Sequence, residues 1–437
     1  MAIHYPKFVE SASVPAVTPI GRLLSAMFIA NVGALVALFT PIQLLMTLHL
    51  TRIAGSDAAM AFGLVTGFGA LVALVANPLG GRISDKTTAR FGRRRTWILF
   101  GSLGGSAVVA CMGFTTHVWQ VIVLWSLVAV FFNFQFAATG ALMADQVPQA
   151  RRGTASGLLG FSAAVGPLAG IAAAGWIRDP QLQWFVLAAL AAVLGAIAVL
   201  LIREGRHHAP KDEQRLGIAE LARSLWLNPM RYPAFGWAWL IRFLLTCGMA
   251  SGTYTAFFMM DRFGIKEGEV AGIVLITGVI MVVVLALTSV VAGPLSDRLR
   301  KQKPFVIAAA SVSALALVLM AFATHIWVVY VATGLLGLAA GLMVSVDTAM
   351  CVRVLPNSEN AGKDLGIINI ANTIPQSVVP FVAPALLALG GFTALYLVLS
   401  VTVALAALVV LRIPEIGQEG NPRWALIVRE PKVSLPV

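Results

Sequence analysis

An arginine and an aspartate stand where the chain is otherwise apolar: Arg242 within the stretch 234–260 and Asp347 within 326–350. Counted from the nearest polar segment, Arg242 lies about 12 Å and Asp347 about 9 Å along a helix, so their depths match. An isolated charge inside a bilayer costs at least about 2.5–3.5 kcal/mol and therefore faces a cavity or a counter-charge. Two readings follow. In one, the two residues pair across a central cavity, and Asp347, the only acid well inside any apolar stretch, carries a proton. In the other, Arg242 snorkels to the headgroups and Asp347 braces a helix end. A second polar set, Asn369, Asn372 or Thr373, and Gln376, has spacings of three, four and seven, which puts it on one helical face. Amides both donate and accept, so this face suits a neutral polar solute; it serves equally as glue between helices. Asn31, Gln43, Asn133 and Gln135 are polar positions of the same kind in the first half of the chain, and Tyr254, between Thr253 and Thr255, is one in the second.

Enzymatic chemistry finds no foothold in these residues. The phosphate-binding pattern G-x-x-x-x-G-K-[ST] is absent, which argues against ATP-driven work within the chain. His207-His208 sits in a polar segment without further ligands, so no metal centre is expected, nor any cofactor. Cys111, Cys247 and Cys351 lie in or beside apolar runs and make no disulfide framework.

The elements that must position these groups are apolar helices. Of 437 residues 59% are hydrophobic and only 11% charged, with mean hydropathy +0.87. This excludes an ordinary soluble domain, a disordered chain and, despite a net charge of +12, a nucleic-acid binder, because the basic residues are confined to short segments between long apolar runs. Residues 1–19 hold three prolines and no apolar core, so no cleavable signal peptide is expected. A bilayer core takes about 20 apolar residues per helix. Twelve stretches qualify: 22–49, 60–83, 97–115, 118–143, 154–176, 182–202, 234–260, 268–292, 305–323, 326–350, 365–389 and 392–411. Segments on one side of these spans carry 26 of the 31 lysines and arginines, against 4 on the other, which predicts that both termini are cytoplasmic. Trp119, Trp176, Trp184 and Trp327 fall at span ends and read as interface anchors, while Trp125, Phe131, Phe132, Phe134 and Phe136 on the fourth span read as lipid-facing, with stacking on a substrate ring as the alternative.

The two halves resemble each other. Gly81-Arg82-Ile83-Ser84-Asp85 after the second span matches Gly293-Pro294-Leu295-Ser296-Asp297 after the eighth, each followed by a basic run. Val147-Pro148 and Gly153 after the fourth span parallel Leu355-Pro356 and Gly362 after the tenth. The division expected is 1–202 for the first six-helix half, 203–233 for a connector with an amphipathic helix, 234–411 for the second half and 412–437 for a tail. Duplication of six helices is a transporter signature.

On these residues the chain resembles the major facilitator superfamily. The loop Asp85…Arg90-Phe91-Gly92-Arg93-Arg94-Arg95 looks like that superfamily's loop between helices 2 and 3, with a spacing closest to the sucrose-transporter-like and glycoside–cation symporter branches. Asp145…Arg151-Arg152-Gly153 is similar to its loop after helix 4. The resemblance implies an all-α integral membrane protein of twelve helices in two pseudo-symmetric halves, with helices 1, 4, 7 and 10 around a cavity. It implies that Asp85 and Asp297, with Arg298 beside the latter, gate the cytoplasmic side by bonding helix N-termini of the opposite half, and that Arg93, Arg94 and Arg95 hold the loop and meet anionic headgroups. Departures stand beside it. Spans 1, 2 and 4 lack the internal charges of sugar symporters. Gly166-Pro167-Leu168-Ala169-Gly170 matches only part of the glycine-proline motif of drug antiporters, since Ser162 and Ile171 replace glycines, and close helix packing accounts for it as well. The expected function is proton-coupled symport of a sugar-like or neutral polar solute across the cytoplasmic membrane by a monomer. The alternatives are a proton-antiport exporter of amphipathic metabolites or drugs and a non-transporting receptor on the same fold. Expected partners are the small-molecule substrate, protons and membrane lipids.

Overall fold

The computed structural model describes residues 18–89, 91–205, 233–299, 301–353 and 361–413. The connector 206–232 and the tail 414–437 lie outside them, as does Arg90; so do the side chains of Asp297, Asp347 and Asn369.

Every described span is helical, because a backbone inside lipid has no water to bond and must satisfy its own N–H and C=O groups. α1 runs from Ile20–Thr40 through a π-helical turn at Pro41–Leu45 into Met46–Ala54. α2 (Ala58–Lys86), α3 (Arg93–Met112), α4 (Val118–Gln146), α5 (Arg152–Gly175) and α6 (Pro180–Leu201) complete the first half. α7 mirrors α1: Pro233–Met249 passes through a 3-10 segment, Ala250–Tyr254, into Thr255–Phe263. α8 (Glu267–Leu299), α9 (Lys303–Ala321) and α10 (Ile326–Arg353) follow. The last helical stretch, Ala361–Val409, is broken by non-helical Gly390 and Gly391 into α11 (361–389) and α12 (392–409). Among the described residues ten helical stretches are long and apolar enough to cross a membrane, and two of these, Ile20–Lys86 and Ile370–Arg412, are long enough to cross twice. That accords with the twelve crossings expected from the sequence. The turns after α1 and after α7 both rest on a glycine with positive φ, Gly55 (55°) and Gly264 (64°), where a side chain would be strained.

Within the first half α4 packs on α2 and α3, and α1 packs on α5 and α6; in the second, α8 packs on α10, and α7 and α9 pack on the α11–α12 pair. Gly166 and Gly170 of α5 receive Leu35 and Thr40 of α1, so the glycine-proline segment is spent on close packing. Two aromatic expectations are corrected. Trp125 and Phe132 are buried, not lipid-facing, because they fill the notches left by Gly69 of α2 and Gly105 of α3. Trp184 is buried against the edge of the His49 ring and is no interface anchor, whereas Trp119, Trp176 and Trp327 are exposed.

The halves meet through α2 with α11 and α5 with α8. Both contacts sit toward the end away from the basic loops. Gly63 lies under the Pro380 carbonyl and Pro384, Gly67 lies under Phe381, and Gly278 of α8 receives Leu168 of α5.

Candidate functional site

A cavity of about 450 Å³ opens between the halves, within the range that takes a drug-sized molecule. The irregular turns of α1 and α7 help line it: Phe39 and Gln43 come from α1, and Ala250, Ser251, Gly252, Thr253 and Thr255 from α7. α8 adds Val274, Thr277, Gly278 and Met281; α10 adds Thr333, Leu336, Met343 and Val344. Arg242, Thr246, Asn372 and Gln376 add polar groups to those of Gln43 and the serine and threonine hydroxyls.

Arg242 is the best-anchored polar group on this wall. Its Nε donates to Asn372 Oδ1 at 2.8 Å. The Thr246 hydroxyl donates to the Arg242 carbonyl at 2.8 Å and reaches the same Asn372 oxygen at 3.3 Å. Arg242 and Thr246 are four residues apart on α7 and so share a face, while Asn372 approaches from α11. The amide thus helps to orient the guanidinium. Of the residues singled out from sequence, Gln43, Arg242, Asn372 and Gln376 meet here. The side chains of Asp347 and Asn369 lie outside the described residues, so the Arg242–Asp347 pair stays an expectation.

The remaining polar candidates sit on helix contacts. Asn31 Nδ2 donates to the Ser162 hydroxyl at 2.5 Å, joining α1 to α5. Gln135, buried on α4, donates to the Ala30 carbonyl at 2.9 Å. Asn133 donates to Ala129 within its own helix and accepts from Asn77 of α2 at 3.3 Å. Tyr254 is fully buried; its hydroxyl donates to the Pro380 carbonyl at 2.9 Å, and its ring meets the Phe62 ring edge-on. It therefore braces the joint between α7, α11 and α2 behind the cavity. Beyond it, Arg52 at the end of α1 places two N–H donors on Glu267 Oε2, at 2.6 and 2.9 Å, linking the halves at the far end.

At the basic end the loop residues form a knot inside the first half. Arg94 Nη2 reaches Asp85 Oδ1 at 2.6 Å, its Nε reaches Asp145 Oδ2 at 2.9 Å, and its Nη1 donates to Ser84 at 2.9 Å. Arg93 joins the same Asp145 oxygen at 2.8 Å. Arg94 is buried, which corrects the expectation that it meets lipid headgroups: its charge is taken up by two carboxylates. In this structure Asp85 is thus engaged by an arginine of its own half. Arg95 donates to the Val199 carbonyl and covers the Phe91 ring. Arg152 donates to the Ala144 and Val147 carbonyls at the end of α4, where a cation suits the helix dipole; Arg151 and Arg298 are exposed.

Glu204, just beyond α6, escaped the sequence reading. Its carboxylate accepts from the backbone N–H groups of Arg94 and Arg95 at 2.9 to 3.1 Å, capping the N-terminus of α3. The Glu204 carboxylate lies where a Cβ on Gly92 would be, and Gly92 holds φ at 102°, so both backbone and space demand glycine there. The available signal was Arg203-Glu204 at a helix end beside a basic loop, but the partner is some 110 positions away.

Comparison with known proteins follows the same lines. The chain is 28% identical over 376 residues to multidrug resistance protein MdtG of Salmonella typhimurium, covering 84% of this chain and 88% of that protein. To the protein of the same name in Escherichia fergusonii it is 28% identical over 346 residues, covering 77% and 80%. Among solved structures, the nucleoside transporter NupG superimposes with a TM-score of 0.70 at 11% identity, over 88% of this chain and 99% of that one. A D-xylose-proton symporter does so with a TM-score of 0.68 at 18% identity, over 90% and 98%. These likenesses establish the fold. The family model for the Major Facilitator Superfamily matches residues 20–288 and 277–434, and with the paired halves and the cavity between them, the chain belongs to that superfamily of secondary transporters.

Proposed function

We propose that the chain is an exporter of amphipathic compounds, driven by proton antiport across the bacterial inner membrane, with both termini cytoplasmic. The observation that carries this reading is the cavity wall. Met249, Met281, Met320 and Met343 enter it from four successive helices, α7 to α10. Unbranched thioethers adapt to apolar ligands of varied shape, as promiscuous binding surfaces do. A sugar needs a wall dense in paired donors and acceptors. Besides the amides Gln43, Asn372 and Gln376 the described lining offers the hydroxyls of Thr246, Ser251, Thr253, Thr255, Thr277 and Thr333. All of these hydroxyls but that of Thr333 donate to carbonyls of their own helix, so the surface left to a ligand is mostly apolar. The symport of a sugar-like solute is therefore set behind export. The relatives bearing the name multidrug resistance protein support the same choice.

Closure at the far end, through the α2–α11 and α5–α8 contacts, fits a state that loads from the cytoplasm. Asp347 is the proposed proton carrier, by its depth on α10 and its position one turn beyond Met343 and Val344. The protein is proposed to work as a monomer.

The test is uptake into inside-out vesicles from a host lacking its own multidrug exporters. The probes are anilinonaphthalene sulfonate, N-phenylnaphthylamine and ethidium. Energised vesicles carrying the protein are expected to accumulate at least one probe above empty-vector vesicles and to release it on adding a protonophore. Asp347→Asn is expected to abolish that accumulation while leaving downhill exchange. Equal accumulation with and without the protein would sink the export reading, and an Asp347→Asn variant that still accumulates probe would remove this acid as the carrier.

A further inference from the structure

Most polar groups on the cavity wall already have partners. Thr246, Ser251, Thr253, Thr255 and Thr277 each donate to a carbonyl of their own helix, and the Asn372 oxygen is taken by Arg242. Three lining side chains make no hydrogen bond to any described residue: Gln43 of α1, Thr333 of α10 and Gln376 of α11. Gln43 and Gln376 come from opposite halves. Phe39 and Gln43 are the first half's share of the described lining, because the amides of Asn31 and Gln135 are tied to neighbouring helices. Gln43 also sits in the middle of the π-helical turn Pro41–Leu45, and such turns cluster at functional sites.

A primary amide presents both donors and an acceptor. Once a ligand displaces water from the cavity, each amide must find a partner or carry the cost of its lost hydration. A hydrocarbon answers neither group. An anion answers the N–H donors and leaves the glutamine oxygens; a cation does the reverse. A neutral carboxamide carries N–H and C=O side by side and answers both. The rest of the ligand then packs on Met249, Met281, Met320 and Met343, whose thioethers adapt to its shape.

We propose that Gln43 and Gln376, with the Thr333 hydroxyl, determine specificity for an uncharged amphipath bearing a carboxamide or an equivalent donor–acceptor group, held between α1 of the first half and α11 of the second. This rests on the export reading and deepens it. A site built to hydrogen-bond its ligand rejects the analogue that lacks the group, since its own amides are then left unpaired.

Three probes share two aromatic ends and differ in the link: naphthanilide has an amide, phenyl naphthoate an ester, phenethylnaphthalene a hydrocarbon. Binding of each tritiated compound to the full-length protein in lipid nanodiscs is measured by equilibrium dialysis and corrected against empty nanodiscs. The wild type is expected to bind the anilide about tenfold or more tighter than the hydrocarbon, with the ester between them. Gln43→Leu and Gln376→Leu are each expected to lower that ratio by about threefold or more while leaving hydrocarbon binding equal or tighter. The ratio does not depend on the folded fraction, and the wild-type ranking needs no variant.

Equal binding of anilide and hydrocarbon overturns the proposal, as does a wild-type ratio kept in both leucine variants. If vesicles accumulate a probe under the protein's action while the amide preference is absent, the export reading stands and the carboxamide falls. If the anilide binds selectively through the two glutamines yet vesicles accumulate neither it nor any other probe, the ligand class stands and the export reading falls. If none of the three compounds binds, the proposal falls and vesicle uptake alone decides the export reading.

Discussion

Asn372 shows how a residue of no charge governs one that has it. Its side-chain oxygen accepts from both Arg242 and Thr246, so it sets where the guanidinium points. Loss of a hydrogen bond to a charged group costs about 1.5–3 kcal/mol, or roughly ten- to hundredfold in an affinity that depends on it. Asn372→Ala is accordingly expected to weaken binding of an exported probe by about tenfold or more. Its melting temperature should stay close to that of the wild type, because the residue lies on a cavity wall and not in the packed core. A large fall in melting temperature with unchanged affinity would return Asn372 to the role of helix glue. From the sequence, Asn369, Asn372 and Gln376 formed one stripe, and periodicity alone could not say what the stripe faced. Asn31, Gln135 and Tyr254 looked equally eligible for a cavity, yet their hydrogen bonds run to Ser162, Ala30 and Pro380 on neighbouring helices. A side chain's type states what it can bond, and only the placement of its neighbours states what it does bond.

At the scale of elements, α2 and α11 form the tightest joint between the halves. A Cβ on Gly63 would sit 2.5 Å from the Pro380 carbonyl and 2.6 Å from the Pro384 ring, closer than real contacts allow. The missing side chain is what lets the far end shut. Gly63→Val is expected to hold that end open, trapping the molecule with the cavity facing away from the basic loops. Spin-label distances across the far end should lengthen and transport should stop, with expression retained; an unchanged distance distribution would mean the joint yields elsewhere. The Arg52–Glu267 bridge beside it is about a third exposed on each side chain, so it contributes little to overall stability, about 0–1 kcal/mol. Its effect is expected on the balance of states instead. Arg52→Gln and Glu267→Gln should each shift the population toward the far-end-open form by a similar small amount. The double substitution should add little to either, as contacting pairs do. Fully additive shifts would show that the two residues act apart. Neither joint was visible in the sequence, since each links residues more than 200 positions apart or on opposite halves.

For the whole molecule, orientation follows from the basic segments. A cysteine introduced near Lys211 in the connector, on the side carrying 26 of 31 basic residues, is expected to resist membrane-impermeant labelling in intact cells and to react once the membrane is opened. Ready labelling from outside would invert the proposed topology. The helical membrane fold class was legible in the chain itself, and the expected span count accords with the helical stretches described, because a bilayer demands an apolar run of fixed length for each crossing and punishes charge within it. Gly55, Gly264 and Gly391, each between two apolar runs, take positive φ in the structure, where a glycine has no side chain to strain. What the tertiary structure decided was the use of the interior. It turned Trp125 and Phe132 inward onto glycine notches, spent Arg94 on Asp85 and Asp145, brought Glu204 to the N-terminus of α3, and left Arg242 and four methionines around one cavity. Hydropathy reports whether a residue leaves water, which is a property of the residue; lipid and protein interior are equally apolar, so which of the two receives it depends on the packing of helices distant in sequence.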